Sequence, residues 1–365
     1  MADGPPGTEP ARWTIAPLPA PPGSVAALVA DQPVRAWSAD APLADAPEAW
    51  PTAFCLPASR ADAVLVSPER VDPTWRSGAD ANVALAASWW GGTDHLRLDQ
   101  PRRRLVSRRR PPTRRAEGRA VCFTSGVDSF FTLLRGNHAP THLLFVIGFD
   151  VDEDDAERVA TMLATLRAVG QATGTRPLAV TTDLRTHPKF VPDPWQRTHG
   201  AALAAIGHLL HPTIGTLVIP PSYGAHRLIP WGSRPDTDPR WSAPLRTVIE
   251  HGDASGVRHD RILAIASEPL VHGHLRVCWQ NVPGSLNCGR CEKCLRTMVV
   301  FAGIDQLQNV VTFPDRAALT VALDDLPAIE PQHLRAWSDF PDLRLRPDER
   351  RALEALLARS TRESP

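Results

Sequence analysis

From Arg119 onward, short apolar runs alternate with longer segments of helical periodicity, and this alternation constrains the fold more than any other feature of the sequence. Ala120–Thr124, His142–Phe149, Leu178–Thr182 and Thr216–Ile219 each fit a strand. The His142–Phe149 run is almost continuously apolar, as a strand covered on both faces must be. Between them, Asp128–Leu134 and His199–Leu210 fit helices, and Val159, Met162, Leu163, Leu166 and Val169 recur at helical spacing between Ala156 and Gly170. Strand and helix in turn predict an α/β fold, a Rossmann-like parallel sheet with helices on both faces. Arg261–Ala266 is expected to supply a fifth strand.

The rest of the chain divides around this unit. Residues 1–23, rich in Pro, Gly and Ala, are expected to be frayed. Residues 24–118 are expected to form a mixed α/β accessory domain with several strands, among them Ala53–Leu56 and Ala63–Val66, ending in an arginine-rich linker. That linker (Arg102, Arg103, Arg104, Arg108, Arg109, Arg110, Arg114, Arg115 and Arg119) reads either as a solvated segment or edge hairpin, or as a patch for tRNA, a carrier protein or an anionic substrate. Residues 119–310 make the α/β unit and 311–365 a helical extension. The 40 Lys and Arg balance the 40 Asp and Glu, so no overall field draws the molecule to nucleic acid or an anionic membrane. The opening residues lack the basic flank and apolar run of a leader, and no window spans a membrane. The expected compartment is the cytoplasm, and a homodimer is among the assemblies the sequence permits.

Two segments carry chemistry. Phe123-Thr124-Ser125-Gly126-Val127-Asp128-Ser129 lies between a strand and a helix, with small residues where the chain must turn tightly and expose its amides. Backbone N–H groups and a positive helix end there suit a phosphate. Thr124 and Ser129 add hydroxyls, and Asp128 could hold the helix start or help orient Mg²⁺ and a leaving pyrophosphate. No Lys follows the glycine as in a Walker loop, and the dinucleotide fingerprint is absent. The second segment is Cys278, then nine residues, then Cys288-Gly289-Arg290-Cys291-Glu292-Lys293-Cys294. Thiolates two residues apart converge on a metal, and four suit tetrahedral Zn²⁺, with an iron–sulfur cluster or unrelated buried cysteines as the alternatives.

The loop resembles that of the PP-loop ATP pyrophosphatases, S-G-G-x-D-S, with Thr124 on the first Ser, Ser125 on the first Gly, Gly126 on the second, and Asp128 and Ser129 closing it. Ser125 thus stands where those proteins have glycine, a position that a β-carbon disfavours if φ is positive. Together with the cysteine spacing, the segment from about Ala120 to Gly303 is similar to the 7-cyano-7-deazaguanine synthases; the residues before Arg119 are outside the resemblance, and their guanine-reading segment is not recognisable here. The resemblance implies ATP bound at Thr124, Ser125, Gly126, Val127, Asp128 and Ser129. Ligands of an open parallel sheet sit beyond the carboxyl ends of its strands, which puts Gly148, Phe149 and Asp150 near the adenine and Asp183 after the third strand, while Thr198, His199 and Gly200 open the next helix, about where the resemblance implies polar residues that reach the nucleotide or substrate. For His199 alone, satisfying a helix end is the other reading.

The implied reaction is adenylation of a carboxylate or amide oxygen of a small-molecule acceptor, then displacement of AMP by ammonia or another nitrogen nucleophile. A sulfur donor, giving a thioamide or a thiolated tRNA, and a nucleotide-binding protein without turnover are the rival readings. With four cysteines assigned to metal only Cys55 and Cys122 remain for sulfur chemistry. The long loop from Ser222 to Trp241 is rich in polar and aromatic groups, and Asp236, Asp238 and Arg240 are expected to contact substrate or metal.

Overall fold

A computed structural model describes residues 9–102, 114–337, 340 and 343–362. The strand His142–Ile147 shows how the sequence builds a sheet with two cores. All six residues are buried; Leu144 and Val146 face one hydrophobic cluster while Leu143, Phe145 and Ile147 face the other. Successive side chains alternate across a strand, so only a continuous apolar run can satisfy both faces.

The N-terminal part runs β1 (Arg12–Leu18), β2 (Ser24–Val29), β3 (Gln32–Trp37), α1 (Ala49–Arg60), β4 (Val64–Val66), α2 (Pro73–Trp90) and β5 (Leu98–Asp99). Next come β6 (Gly118–Cys122), α3 (Val127–Arg135), β7 (His142–Ile147), α4 (Ala156–Thr173), β8 (Arg176–Thr182), α5 (Trp195–Leu209), β9 (Ile214–Ile219) and β10 (Val248–His251). Helices α6 (Arg258–Ile265), α7 (Pro269–His274), α8 (Glu292–Gly303), α9 (Leu319–Asp325), α10 (Pro331–Leu334) and α11 (Pro347–Arg362) complete the chain.

Among the described residues the strands form one sheet of ten in the order β10-β9-β6-β7-β8-β3-β2-β1-β4-β5. It is mostly parallel; only the pairs β1–β2, β2–β3 and β3–β8 are antiparallel. Within β6 to β10 the chain winds from β6 outward to β8, then returns to place β9 on the other side of β6. This is the Rossmann-like order, and it leaves a crevice at the carboxyl ends of β6 and β9, where open α/β sheets bind ligands. Helices α1 and α5 cover one face, and α3, α4, α6 and α8 the other.

Several expectations are corrected. Arg261–Ala266 is helix α6, and the fifth parallel strand of this unit is β10. Its short apolar run fits either period. Asp260 Oδ2 accepts from the Val257 backbone N–H at 2.8 Å and starts a helix that buries Arg261, Ile262 and Ile265. Ala53–Leu56 lies inside α1, where every residue from Ala49 to Ser59 is buried, so the run is apolar because the helix is enclosed. Residues 12–18 are not frayed but form β1, paired with both β2 and β4.

The N-terminal strands continue the sheet of the later ones through the β3–β8 pair. Asp183 reinforces that seam by accepting from the Arg35 backbone N–H at 2.7 Å and from Arg35 Nε at 3.0 Å. Of the arginine-rich linker, residues 103–113 lie outside the described residues; Arg114 pairs with Glu117 and Arg119 with Glu250. The C-terminal helices dock through the bidentate pair of Arg316 with Glu349 at 2.7 and 2.9 Å. No helix among the described residues is long and apolar enough to cross a membrane.

Burial gives the core a defined response to acid. His208 is fully buried in α5, its Nε2 2.9 Å from the Trp241 carbonyl, and burial, aided by nearby Arg246 and His211, pushes its pKa down from 6.5 to about 4. His142, His187, His199, His211, His259 and His274 are shifted the same way, also chiefly by burial. The unfolded chain therefore takes up protons first. Stability is fully present above about pH 6.5 and falls as pH drops toward 4. Urea midpoints measured across that range should decline, and His208→Gln should flatten the decline.

Candidate phosphate site and metal centre

The turn after β6 is still held by the sheet at its first residue, where the Phe123 N–H donates to the Leu144 carbonyl at 2.7 Å. It then closes through Ser125 at φ +59°, the left-handed region. That is the glycine-like angle the loop demands, and a β-carbon there costs about 1 kcal/mol. The strain is held in place by Arg276, whose backbone N–H donates to the Ser125 carbonyl at 2.9 Å. Gly126 is the N-cap of α3 and has no side chain to cap it, so the N–H groups of Val127, Asp128 and Ser129 have no helical acceptor. Ser129 Oγ folds back to the Gly126 carbonyl at 2.9 Å, and Ser125 Oγ is buried without a partner.

Around this helix end the structure gathers cations. Asp128 Oδ1 accepts from Arg261 Nη1 at 2.8 Å and its Oδ2 from Arg258 Nη1 at 2.5 Å. Burial by itself raises the Asp128 carboxyl, but Arg258 and Arg261, with Lys293 beyond them, hold it below the usual carboxylate range. Arg261 is fully buried, and among the described residues its Nε and Nη2 have no acceptor; Arg258 Nε and Arg276 Nε are likewise buried and unpartnered. Arg296 and Lys293 stand on the first two turns of α8, their pKa values lowered chiefly by burial, and both lie within the electrostatic reach of Arg258 and Asp128. The Lys293 ammonium makes no hydrogen bond or ion pair among the described residues.

Buried guanidinium N–H groups without acceptors are costly and rare. Their arrangement around an uncapped helix N-terminus has the donors and charge that suit a multiply charged anion. Arg258, Arg261, Arg276, Lys293 and Arg296 outnumber Asp128, Asp150 and Glu292 by two, so the pocket has an excess of positive charge.

The other expected site residues are placed as follows. Gly148 ends β7 at φ +92°, and a side chain there would run into the Thr182 carbonyl, so it allows the ends of β7 and β8 to approach. His199 sits in a chain of rings across the carboxyl edge, Phe149–Trp195 at 4.8 Å, Trp195–His199 at 5.9 Å, His199–Trp231 at 5.7 Å and Trp231–Tyr223 at 5.3 Å. Its Nδ1 is 3.2 Å from the Trp195 carbonyl, and burial keeps it neutral near pH 7 by lowering its pKa. Asp183 spends both oxygens on Arg35, as described above. Asp236 is locked in a bidentate pair with Arg234 at 2.8 and 2.9 Å, and Arg234 stacks over Trp89 of α2. The Arg240 backbone packs against Gly78 of the same helix. Asp238 is fully buried and pairs with Ser233 and His251.

The sequence pattern alone does not single out Arg258, Arg261, Arg276, Lys293 and Arg296. The spacing Arg258-x-x-Arg261, and Lys293-x-x-Arg296 beside the knuckle, each put two cations on one helix face. Reading residues 261–266 as a strand hides the first pair.

The four cysteines come together as expected. Their Sγ atoms lie within 4.8 Å of one another, with Cys278–Cys291 at 4.0 Å and Cys288–Cys294 at 3.9 Å. Four sulfurs each about 2.3 Å from a tetrahedral ion would be about 3.8 Å apart, so the set fits a metal such as zinc. The Cys291 N–H points to Cys288 Sγ at 3.3 Å, and Asn287 Oδ1 accepts from the backbone of Val277 and Cys278, fixing one arm of the knuckle against the other. Sulfurs this close repel one another when ionised. Four thiolates therefore need a cation among them.

Two tests follow from this geometry. The purified chain should be colourless and carry one zinc by elemental analysis. Cys294→Ser or chelation should lower Tm by on the order of 10 °C, and a chain that holds no metal and ignores chelators would refute the centre. Ser125→Gly should relieve the left-handed strain and raise the unfolding free energy by about 1 kcal/mol, read from the denaturant midpoint.

Comparisons with protein-family models, with curated proteins and with solved structures give no match, so functional inference rests on this chain's own residues and geometry and on the resemblance of its loop and cysteine spacing.

Proposed function

We propose that the chain binds MgATP with the triphosphate over the 124–129 loop, and that it belongs with the PP-loop ATP pyrophosphatases. In this reading it adenylates a carboxylate or amide oxygen of a small-molecule acceptor, and a nitrogen nucleophile then displaces AMP. The observation that carries the reading is the set of buried, unpartnered guanidinium N–H groups of Arg258, Arg261 and Arg276 around the uncapped end of α3. The two surplus positive charges of the pocket match the two net negative charges of MgATP.

The acceptor oxygen attacks the α-phosphorus, an oxygen–phosphorus bond forms, and pyrophosphate leaves with its bonding electrons. Such a centre needs positioning and charge neutralisation more than a protein nucleophile. The amides of Val127, Asp128 and Ser129 would hold the phosphates, and Arg258, Arg261 and Lys293 would neutralise the departing charge. Both Asp128 oxygens are taken by arginines, so its part is to aim those guanidinium groups. Mg²⁺ would enter with the nucleotide and would add to the charge neutralisation that Arg258, Arg261 and Lys293 supply. Zinc, closed by four thiolates, would brace α8 and leave no open position for substrate.

The cysteines favour nitrogen over sulfur transfer. Cys55 is fully buried, its thiol pushed up to about 12 by desolvation, and Cys122 is raised further by burial and by the nearby Asp238 charge. Neither is a ready thiolate nucleophile.

Calorimetry should show MgATP uptake that Arg258→Ala weakens tenfold to about a hundredfold, the worth of one charge-assisted contact. With α-labelled ATP and a small-molecule cell fraction, the products should be AMP and pyrophosphate. Release of ADP and phosphate, or no uptake of MgATP, would end the proposal.

A further inference from the structure

His251 closes β10, and its position is fixed by the sheet. It pairs with Ile219 of β9, and β9 in turn pairs with β6 so that Val218 lies beside Val121. His251 therefore stands level with Cys122, one residue below the phosphate loop and two inter-strand spacings, about 10 Å, along the carboxyl edge from it. Residues level in a parallel sheet point to the same face. Accordingly the Asp238 carboxylate, bonded to the His251 ring, also acts on the Cys122 thiol from that side.

The pair is tightly held. His251 Nδ1 is 2.7 Å from Asp238 Oδ2, and Ser233 Oγ donates to the same oxygen at 2.6 Å. The His251 side chain is 4% exposed and that of Asp238 0%. Asp238 belongs to the short 3-10 turn Asp238–Trp241. Asn82 of α2 fixes that turn by donating to the Thr237 carbonyl at 3.0 Å, and Gly200 of α5 lets the helix backbone pass where a β-carbon would stand 2.9 Å from Asp238 Oδ1. A carboxylate beside Nδ1 accepts its proton, which leaves the lone pair of a neutral ring on Nε2. That Nε2 is buried and has no partner among the described residues. Leaving it so costs about 1–3 kcal/mol; His208 bears the same cost at its Nδ1, but its bonded nitrogen meets a backbone carbonyl, whereas that of His251 meets a buried carboxylate.

We infer that His251 is the general base of the second half-reaction, oriented by Asp238 as a positioning residue. This inference rests on the adenylation reading above. The incoming nitrogen, as ammonia or a primary amine, donates its lone pair to the acceptor carbon. A C–N bond forms, the C–O bond to the phosphate breaks, and its electron pair leaves on AMP. The surplus N–H proton passes to His251 Nε2, and from there to solvent. Asp238 never touches the reacting atoms; it stabilises the imidazolium formed.

The test uses the full chain, its metal in place, with α-labelled ATP and the small-molecule cell fraction as acceptor source. His251→Gln, His251→Ala and Asp238→Asn should bind MgATP as tightly as the natural chain by calorimetry. Each should release a single-turnover burst of pyrophosphate and then slow at least about a hundredfold, with adenylated acceptor accumulating. Added imidazole should restore part of the turnover of His251→Ala and none of that of Asp238→Asn. Wild-type turnover in His251→Gln, or loss of the burst together with turnover while MgATP still binds, overturns the relay and leaves the ATP site standing. Absence of a burst in the natural chain removes the adenylation reading, and the relay goes with it.

Discussion

One carboxylate between two guanidinium groups organises the functional end of this molecule. Arg261 has no exposed surface and reaches the loop by donating both to Asp128 and to the Pro221 carbonyl. Without Asp128 its charge would be buried uncompensated, at a cost of several kcal/mol. With Asp128, only one of its nitrogens is used, and the others stay aimed and dry. The same contact fixes α6 against α3, which is why a helix outside the β6–β10 winding packs against the loop. Asp128, expected either to hold the helix start or to help orient magnesium, is in the folded chain the anchor for two buried arginines beside the 124–129 turn.

Much of the fold is legible in the sequence because burial on both faces leaves a strong trace. β7 and β9 are fully buried over six residues each, and both are visible as apolar runs. The loop and the cysteine spacing are legible for a different reason, since their chemistry needs particular residues at fixed separations. Legibility fails where length and period do not discriminate. Arg261–Ala266 is too short for its apolar residues to separate helix from strand, and α1, enclosed on all sides, shows no polar face. β1 is hidden because its flanking prolines and glycines resemble a tail, yet it gains two neighbours, one of them distant in sequence.

The site is less legible than the fold. Asp236, Asp238 and Arg240 look like a group of substrate contacts because they share one loop, but a turn sends their side chains and backbone to different neighbours. Asp236 closes on Arg234, Arg240 packs on α2, and Asp238 turns inward to His251. The cations that do converge come from α6, α8 and the segment before the knuckle, separated in sequence by tens of residues. Only the tertiary fold brings them to one helix end, and sequence spacing can suggest pairs but not their convergence.

The N-terminal hundred residues, which the resemblance leaves unexplained, acquire a physical role from the same geometry. Helix α2 contacts the long loop after β9 at three kinds of point: Asn82 on the Thr237 carbonyl, Gly78 against the Arg240 backbone, and Trp89 under Arg234. Trp90 adds a stack with Arg197 at the start of α5. A loop of that length, left free, would sample many conformations and lose the alignment of Asp238 with His251. Because β3 is hydrogen-bonded to β8, α2 is carried on the same sheet as the loop it braces, so the brace and the 124–129 turn share one frame. The four-cysteine knuckle does the equivalent on the opposite face, where Cys291 and Cys294 bracket Lys293 at the start of α8. Two supports, one from each end of the chain, thus hold the polar groups of a crevice that the parallel strands alone could locate but not align.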